Sequence, residues 1–303
     1  MPGLKAIMRN ARRAGKAIPA FNIPYLPMLE PVVRAVVDLN SFALIETARL
    51  EWIKFEAGGP QEVAREFFRW QKPEHVRLHL DHVPVVDEDG QRVDFLSIIQ
   101  RAISLGYHSV MVDGSRLSLD ENIAATRQVA AIAHLSGIPC EAELGAVLGH
   151  EAGPLPPYDE LYASGKGFTD PDEAHRFVCE TGCDWLSVAI GNVHGAISAG
   201  LKDQKKVAAR LNLEHLERLF QATGVPLVLH GGSGIPRQYV LDSFKKGITK
   251  INIGTEIRQA YEVSLKSSAR VSAAQDAVYE RTCWLLSDYF NLKNMQPLFT
   301  EGM

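Results

Sequence analysis

The stretch LHLDH, residues 78–82, sets two histidines and an aspartate among leucines where the apolar alternation predicts a buried strand. Burying polar groups is costly unless they find partners, so this strand needs partners or a function. It does not stand alone. Short β-branched runs alternate with longer amphipathic segments along the chain, and eight strands are predicted: IPAFN (18–22), FALIET (42–47), VRLHLDH (76–82), SVMVDGS (109–115), PCEAELG (139–145), WLSVAI (185–190), PLVLHG (226–231) and ITKINIG (248–254). Helical patterns such as LEPVVRAVVDL, DFLSIIQRAISLG and ENIAATRQVAAIAHLSG fill the gaps. Gly106, Gly137, Gly182, Gly224 and Gly247 each stand where a helix should close just before a strand. Eight such units predict an α/β fold, a (β/α)8 TIM barrel, with extra helix from about 256 to 290. No linker interrupts the pattern, so residues 1–303 read as one domain.

Two stretches break the rhythm. Residues 83–93 (VPVVDEDGQRV) extend the loop after the third strand, and residues 146–170 form a long Gly/Pro-rich loop after the fifth. Loops of that length in a compact domain are usually functional or mobile.

Composition narrows the function classes. An apolar share of 46% is enough for a sizeable core, and a net charge of -4 with both signs mixed gives no basic stripe for nucleic acid. No apolar run approaches the roughly 20 residues that span a bilayer, and the N-terminus has basic residues without an apolar signal core. No membrane partner is expected. Four cysteines are too few for a disulfide framework in a chain this long, which points to a reducing cytoplasm. Cys179 and Cys183, four apart on a predicted helix, are expected to serve packing.

Chemistry in such barrels sits at the C-terminal ends of the strands. Nearly every predicted strand here ends in polar residues: Asn22, Glu46, Asp81 and His82, Asp113 and Ser115, Glu141 and Glu143, Asn192 and His194, His230, and Asn252. His82, His194 and His230 fall at the same end, and three imidazoles with one open position suit a catalytic zinc. His79 and Asp81 share a strand face; His82 points elsewhere. The reading assigns His82 to metal, Asp81 to proton transfer and His79 to support behind them. Two Gly-rich turns, HGGSG (230–234) and NIGTE (252–256), follow the seventh and eighth strands, the usual phosphate site of these barrels.

At this point the chain resembles the class II, zinc-dependent ketose-bisphosphate aldolases, the fructose- and tagatose-bisphosphate group. The resemblance rests on AFNI, HLDH, SVMVDGS, EAELG, TDPDEA, AIGNVHG, LVLHGGSG and KINIGTE, in that order. It implies that His82, His194 and His230 are the zinc ligands, with Glu143 beside the metal. It implies that Asp81 handles the C4 hydroxyl proton and Glu151 the C3 proton. Gly195, Gly231, Ser233, Asn252 and Thr255 match residues that bind dihydroxyacetone phosphate, with Lys166 a further phosphate candidate. The implied cofactors are one Zn2+ per subunit and a monovalent cation, Na+ or K+, nearby. The implied reaction is reversible cleavage of a ketose phosphate, by default fructose- or tagatose-1,6-bisphosphate, through a zinc-stabilised ene-diolate in a homodimer or homotetramer.

The chain also departs from the family pattern. Glu46 stands where many relatives carry a small serine-containing turn, and Gly254 replaces a common aspartate. No Asp-Pro-Arg is found near the C-terminus for a second phosphate; Arg258, Arg270 and Arg281 are the candidates. Asn22, Glu46 and Arg258 are further substrate-site candidates. The alternatives are an aldolase for a ketose phosphate with a different distal group, a non-catalytic sugar-phosphate binder, or a metal-dependent amidohydrolase. The last would prefer His-x-His on the first strand, where this chain has AFN.

Overall fold

The computed structural model describes residues 2–145, 158–192, 209–232 and 234–301. Eight parallel strands close into one barrel in sequence order: β1 Ile18–Asn22, β2 Ala43–Ala48, β3 Val76–Pro84, β4 Ser109–Asp113, β5 Cys140–Leu144, β6 Trp185–Val188, β7 Leu227–Leu229 and β8 Ile248–Ile253. The helices are α1 Leu4–Arg13, α2 Leu29–Asp38, α3 Arg49–Lys54, α4 Pro60–Trp70, α5 Phe95–Ser104, α6 Leu119–Leu135, α7 Tyr158–Ser164, α8 Pro171–Thr181, α9 Leu213–Thr223, α10 Arg237–Lys245, α11 Thr255–Ser268, α12 Val271–Trp284 and α13 Gln296–Thr300. Each strand feeds helix that packs back on the sheet, the right-handed crossover that parallel strands require.

Local signals start and stop these elements. Ser118 accepts from the Glu121 N–H while the Glu121 carboxylate reaches back to Ser118, a capping box that opens α6. Asp170 caps α8 ahead of Pro171, and Gly182 and Gly224 end α8 and α9 in the left-handed conformation. Between strands and helices the core is apolar, with Phe21, Phe42, Phe67 and Phe177 fully buried. Inside the barrel it is not. Glu46, His79, Glu141 and Lys250 replace the branched aliphatics that normally fill such a barrel.

The structure corrects three expectations. The 83–93 stretch is not an open loop: β3 runs on to Pro84, Val86 bridges Arg92, and the Asp87 carboxylate accepts from the N–H groups of Asp89 and Gln91. Arg49 pins that turn to the start of α3 at 3.5 Å from Asp87. The 146–170 loop is interrupted by α7, whose Tyr158 hydroxyl donates to the Gly191 carbonyl at 2.8 Å. Cys183 packs in the core as expected, but Cys179 is exposed on α8. The expected C-terminal helices are α11 and α12, separated at Ala269, where φ is 53°. Among the described residues no helix is long and apolar enough to cross a membrane.

Candidate active site at the barrel mouth

The strand that opened the sequence reading is bulged where its polar residues lie. β3 pairs with β4 in register at Leu80–Val110, then slips so that Val83 faces Val112. His82 sits in the slip with φ at 28°, a backbone state uncommon outside glycine. A bulge re-aims side chains and is common beside active sites. Here it lets two consecutive residues, Asp81 and His82, serve one mouth, which the alternation of a regular strand would forbid.

Asp81 is fixed from both sides. The Asn22 amide donates to Oδ2 at 3.0 Å and the Asn252 amide donates to Oδ1 at 2.9 Å. Burial opposes ionisation of Asp81, but the surrounding His82, Lys250, His230 and His79 outweigh it and hold the carboxyl well below its usual range. The group is thus a carboxylate, able to accept a proton.

The two described histidines of the expected metal set are held from behind by carboxylates. His82 Nδ1 lies 3.2 Å from Asp113 Oδ2, and Asp113 Oδ1 accepts from the Ser115 hydroxyl at 2.6 Å. His230 Nε2 lies 3.0 Å from Glu141 Oε1, while its Nδ1 faces Glu143 Oε2 at 3.2 Å. The two rings meet edge to face, centroids 4.5 Å apart. A ring nitrogen that donates to a carboxylate leaves the other lone pair for a metal, the usual support of a metal histidine. Burial works against charge on His82, yet Asp81, Asp113 and Glu143 raise its protonation well above the ordinary histidine range. Carboxylates crowding two imidazoles create a demand for positive charge that a divalent cation meets. The ligand atoms allow it: one atom each from Asp81, His82 and His230 lie within 4.8 Å of one another, as do those from His82, Asp113 and Glu143. Nitrogen and oxygen donors of this kind suit zinc and its neighbours.

The glycine turns lie at the same mouth. Gly231 adopts φ of 67°, and a Cβ on Gly232 would stand 2.9 Å from Ile251 Cδ1, so the turn after β7 lies close against β8. Directly after β8, Gly254 caps α11 and Thr255 opens it, placing the free N–H groups of a 14-residue helix at the strands' C-terminal end. Lys166 is exposed in the turn after α7. Glu151, His194, Gly195 and Ser233 lie outside the described residues.

Two of the further substrate-site candidates are already paired with other side chains. Glu46 has 0% exposure and lies 3.2 Å from the Lys250 ammonium. It points into the barrel beside His79 of β3, with its carboxylate close to that of Asp81. Arg258 is paired through Nη1 with both oxygens of Glu262 at 2.9 and 2.8 Å and lies 5.2 Å from the Phe55 ring centre, so its charge is already met.

Sequence reasoning missed Lys250 and Glu51. The signal for Lys250 was a lysine inside the apolar run ITKINIG, the same anomaly that made LHLDH conspicuous. Glu51 had none, because its burial follows from the turn at the end of β2, where it accepts from the Ala48 N–H at 2.8 Å. Burial pushes the Glu51 carboxyl up to about 8. The folded protein therefore keeps a proton that the unfolded chain releases near pH 4.3. Glu51's stabilisation is full below that pH and is lost as pH rises to about 8. Between pH 5 and 8 the urea stability of the wild type should fall relative to Glu51→Gln, by at most about 1.4 kcal/mol per pH unit. Parallel curves for the two proteins would remove Glu51 from that role.

Residues 3–294 match the family model for fructose-bisphosphate aldolase class-II. The chain is 34% identical over 278 residues to fructose-bisphosphate aldolase of Streptococcus pyogenes serotype M3, covering 89% of this chain and 84% of that protein. The fructose-bisphosphate aldolase of Streptococcus pneumoniae serotype 4 is likewise 34% identical, over 279 residues, with 89% and 84% covered. Among solved structures, the YdjI aldolase from Escherichia coli K12 superposes with a TM-score of 0.76 at 30% identity, covering 96% of this chain and 97% of that one.

Proposed function

The chain belongs to the class-II fructose-bisphosphate aldolase family, and from that premise we propose that its barrel mouth cleaves a ketose phosphate to dihydroxyacetone phosphate and an aldehyde, with Asp81 as the acid/base. The observation that carries this reading is the carboxylate of Asp81, fixed by Asn22 and Asn252 and set beside two carboxylate-backed histidines. His82 and His230, with His194 and Glu143, would hold a zinc ion. Bound there, the ion supplies a Lewis acid that stabilises negative charge developing on the substrate's oxygens.

The remaining work falls to the chain's own groups. Asp81 takes the proton of the C4 hydroxyl as the C3–C4 bond breaks, and returns it in the synthetic direction. Asn252 orients Asp81 through its amide, and its Oδ1, which has no partner among the described residues, is free to accept from a substrate hydroxyl. The Gly231–Gly232 turn and the start of α11 at Thr255 receive the phosphate on backbone N–H groups, joined by Gly195, Ser233 and Lys166. Glu151 returns the proton at C3. A homodimer or homotetramer in the cytoplasm, with Na+ or K+ near the phosphate, completes the reading.

Fructose- or tagatose-1,6-bisphosphate is the default substrate. A second reading, a ketose phosphate with a different distal group, is favoured because two of the three arginine candidates are already paired, Arg258 with Glu262 and Arg281 with Glu256, which leaves Arg270 to meet a second phosphate. One experiment tests both. The metal-loaded protein should exchange one C3 hydrogen of dihydroxyacetone phosphate for deuterium in heavy water without any aldehyde, as proton NMR would report. Unphosphorylated dihydroxyacetone should exchange far more slowly, because the phosphate contacts position the reacting carbon. No exchange at an occupied metal site would rule out the aldolase reading of the mouth. Exchange without cleavage of either bisphosphate would favour the second substrate.

A further inference from the structure

The geometry points to Lys250 as a positioning residue that acts through Glu141 to present His230 to the metal. This rests on the metal-site reading above. Lys250 is fully enclosed in the barrel, its Nζ 3.0 Å from Glu141 Oε2 and 3.2 Å from Glu141 Oε1. Glu141 Oε1 also faces His230 Nε2 at 3.0 Å, and Oε2 faces His79 Nε2 at 3.5 Å. The links form one line: ammonium, carboxylate, imidazole, mouth.

A buried ion pair rarely stabilises a fold more than apolar side chains of the same volume would. Inward positions of such barrels normally carry Val, Ile or Leu. The charged floor is thus better explained by what it does to the groups above it. Glu141 shares its enclosure with two other carboxyls, Glu46 and Asp81. Lys250 reaches both oxygens of Glu141, at 3.0 and 3.2 Å, and so fixes the rotamer that sets Oε1 against His230 Nε2. Held on its Nε2 side, the His230 ring presents Nδ1 toward Glu143 and the mouth. Lys250 and Asn252 lie two apart on β8, so one strand face orients the metal-side histidine through Glu141 and the base through Asn252.

The test is a double-mutant cycle on metal affinity, read by competition with a chromophoric chelator and zinc, not by activity. Lys250→Met should weaken zinc binding by about 10–100-fold, the usual cost of losing a partner behind a metal ligand. Glu141→Gln should weaken it similarly. The double variant should bind zinc no worse than Glu141→Gln alone, because the lysine has nothing left to act through. A purely structural role would make the two losses multiply, and so would overturn the proposal. Unchanged zinc affinity in a folded Lys250→Met protein would overturn it too, as would a loss of turnover with affinity intact, which would mean that Lys250 acts on Asp81 directly. Should Lys250→Met not fold, Lys250→Gln takes its place in the cycle, and unchanged zinc affinity there would overturn the proposal in the same way. Wild-type exchange of dihydroxyacetone phosphate tests the aldolase reading separately, so the two failures are distinguishable.

Discussion

Asp81→Asn should lower the rate of carbon–carbon cleavage by about 10²–10⁴-fold, the usual contribution of a positioned acid/base. The amide cannot take the C4 proton, yet it is nearly the same shape. Its remaining oxygen can still accept from one of the two asparagines. Its NH2 meets the other asparagine donor head-on, so the variant should also lose about 1–3 kcal/mol of stability. Metal analysis of the purified variant separates the roles. Cleavage lost with metal retained is the outcome expected of an acid/base; metal lost together with activity would make Asp81 chiefly a ligand, as its place within 4.8 Å of the His82 and His230 ligand atoms allows. Wild-type turnover would dismiss the assignment.

Removing the metal should be as severe. A chelator should abolish activity and a divalent cation restore it, because the proposed mechanism relies on a Lewis acid to stabilise the charge that develops on the substrate's oxygens. His230→Ala should abolish metal binding by direct analysis, since in the proposed site it removes one ligand nitrogen and leaves Glu143 facing an empty ring position. The same linkage predicts a melting shift in the wild type. A cation at about 100 times its Kd adds about 2.7 kcal/mol of stability, and the shift should vanish in His230→Ala. Full activity after verified metal removal would refute the metal's role.

The barrel was legible because its signals are local. IPAFN was predicted over residues 18–22 and is β1 over the same residues, and the Gly182 and Gly224 helix ends need nothing beyond a residue that tolerates positive φ. The boundaries that moved did so where tertiary contacts intervene. β3 runs past His82 because the 83–93 turn is tied down by Asp87 and Arg49, and α7 forms where a Gly/Pro-rich loop was expected, docked by Tyr158 on Gly191.

By itself the sequence determined the strand and helix periodicity, and it determined which polar residues fall at the strand ends. Both are properties of neighbours along the chain, set by side-chain alternation and by turn chemistry. Only the tertiary structure decided what those residues face. The slip at Leu80–Val83 brings Asp81 and His82 to one mouth, and it exists only in the pairing of β3 with β4. Glu46, a substrate candidate by position, gained its partner once β2 turned it toward Lys250. Lys250 and Glu141 stand 109 residues apart, and their contact comes into being only when the barrel closes. Partners of that kind are fixed by distance in space, on which local sequence patterns carry no information.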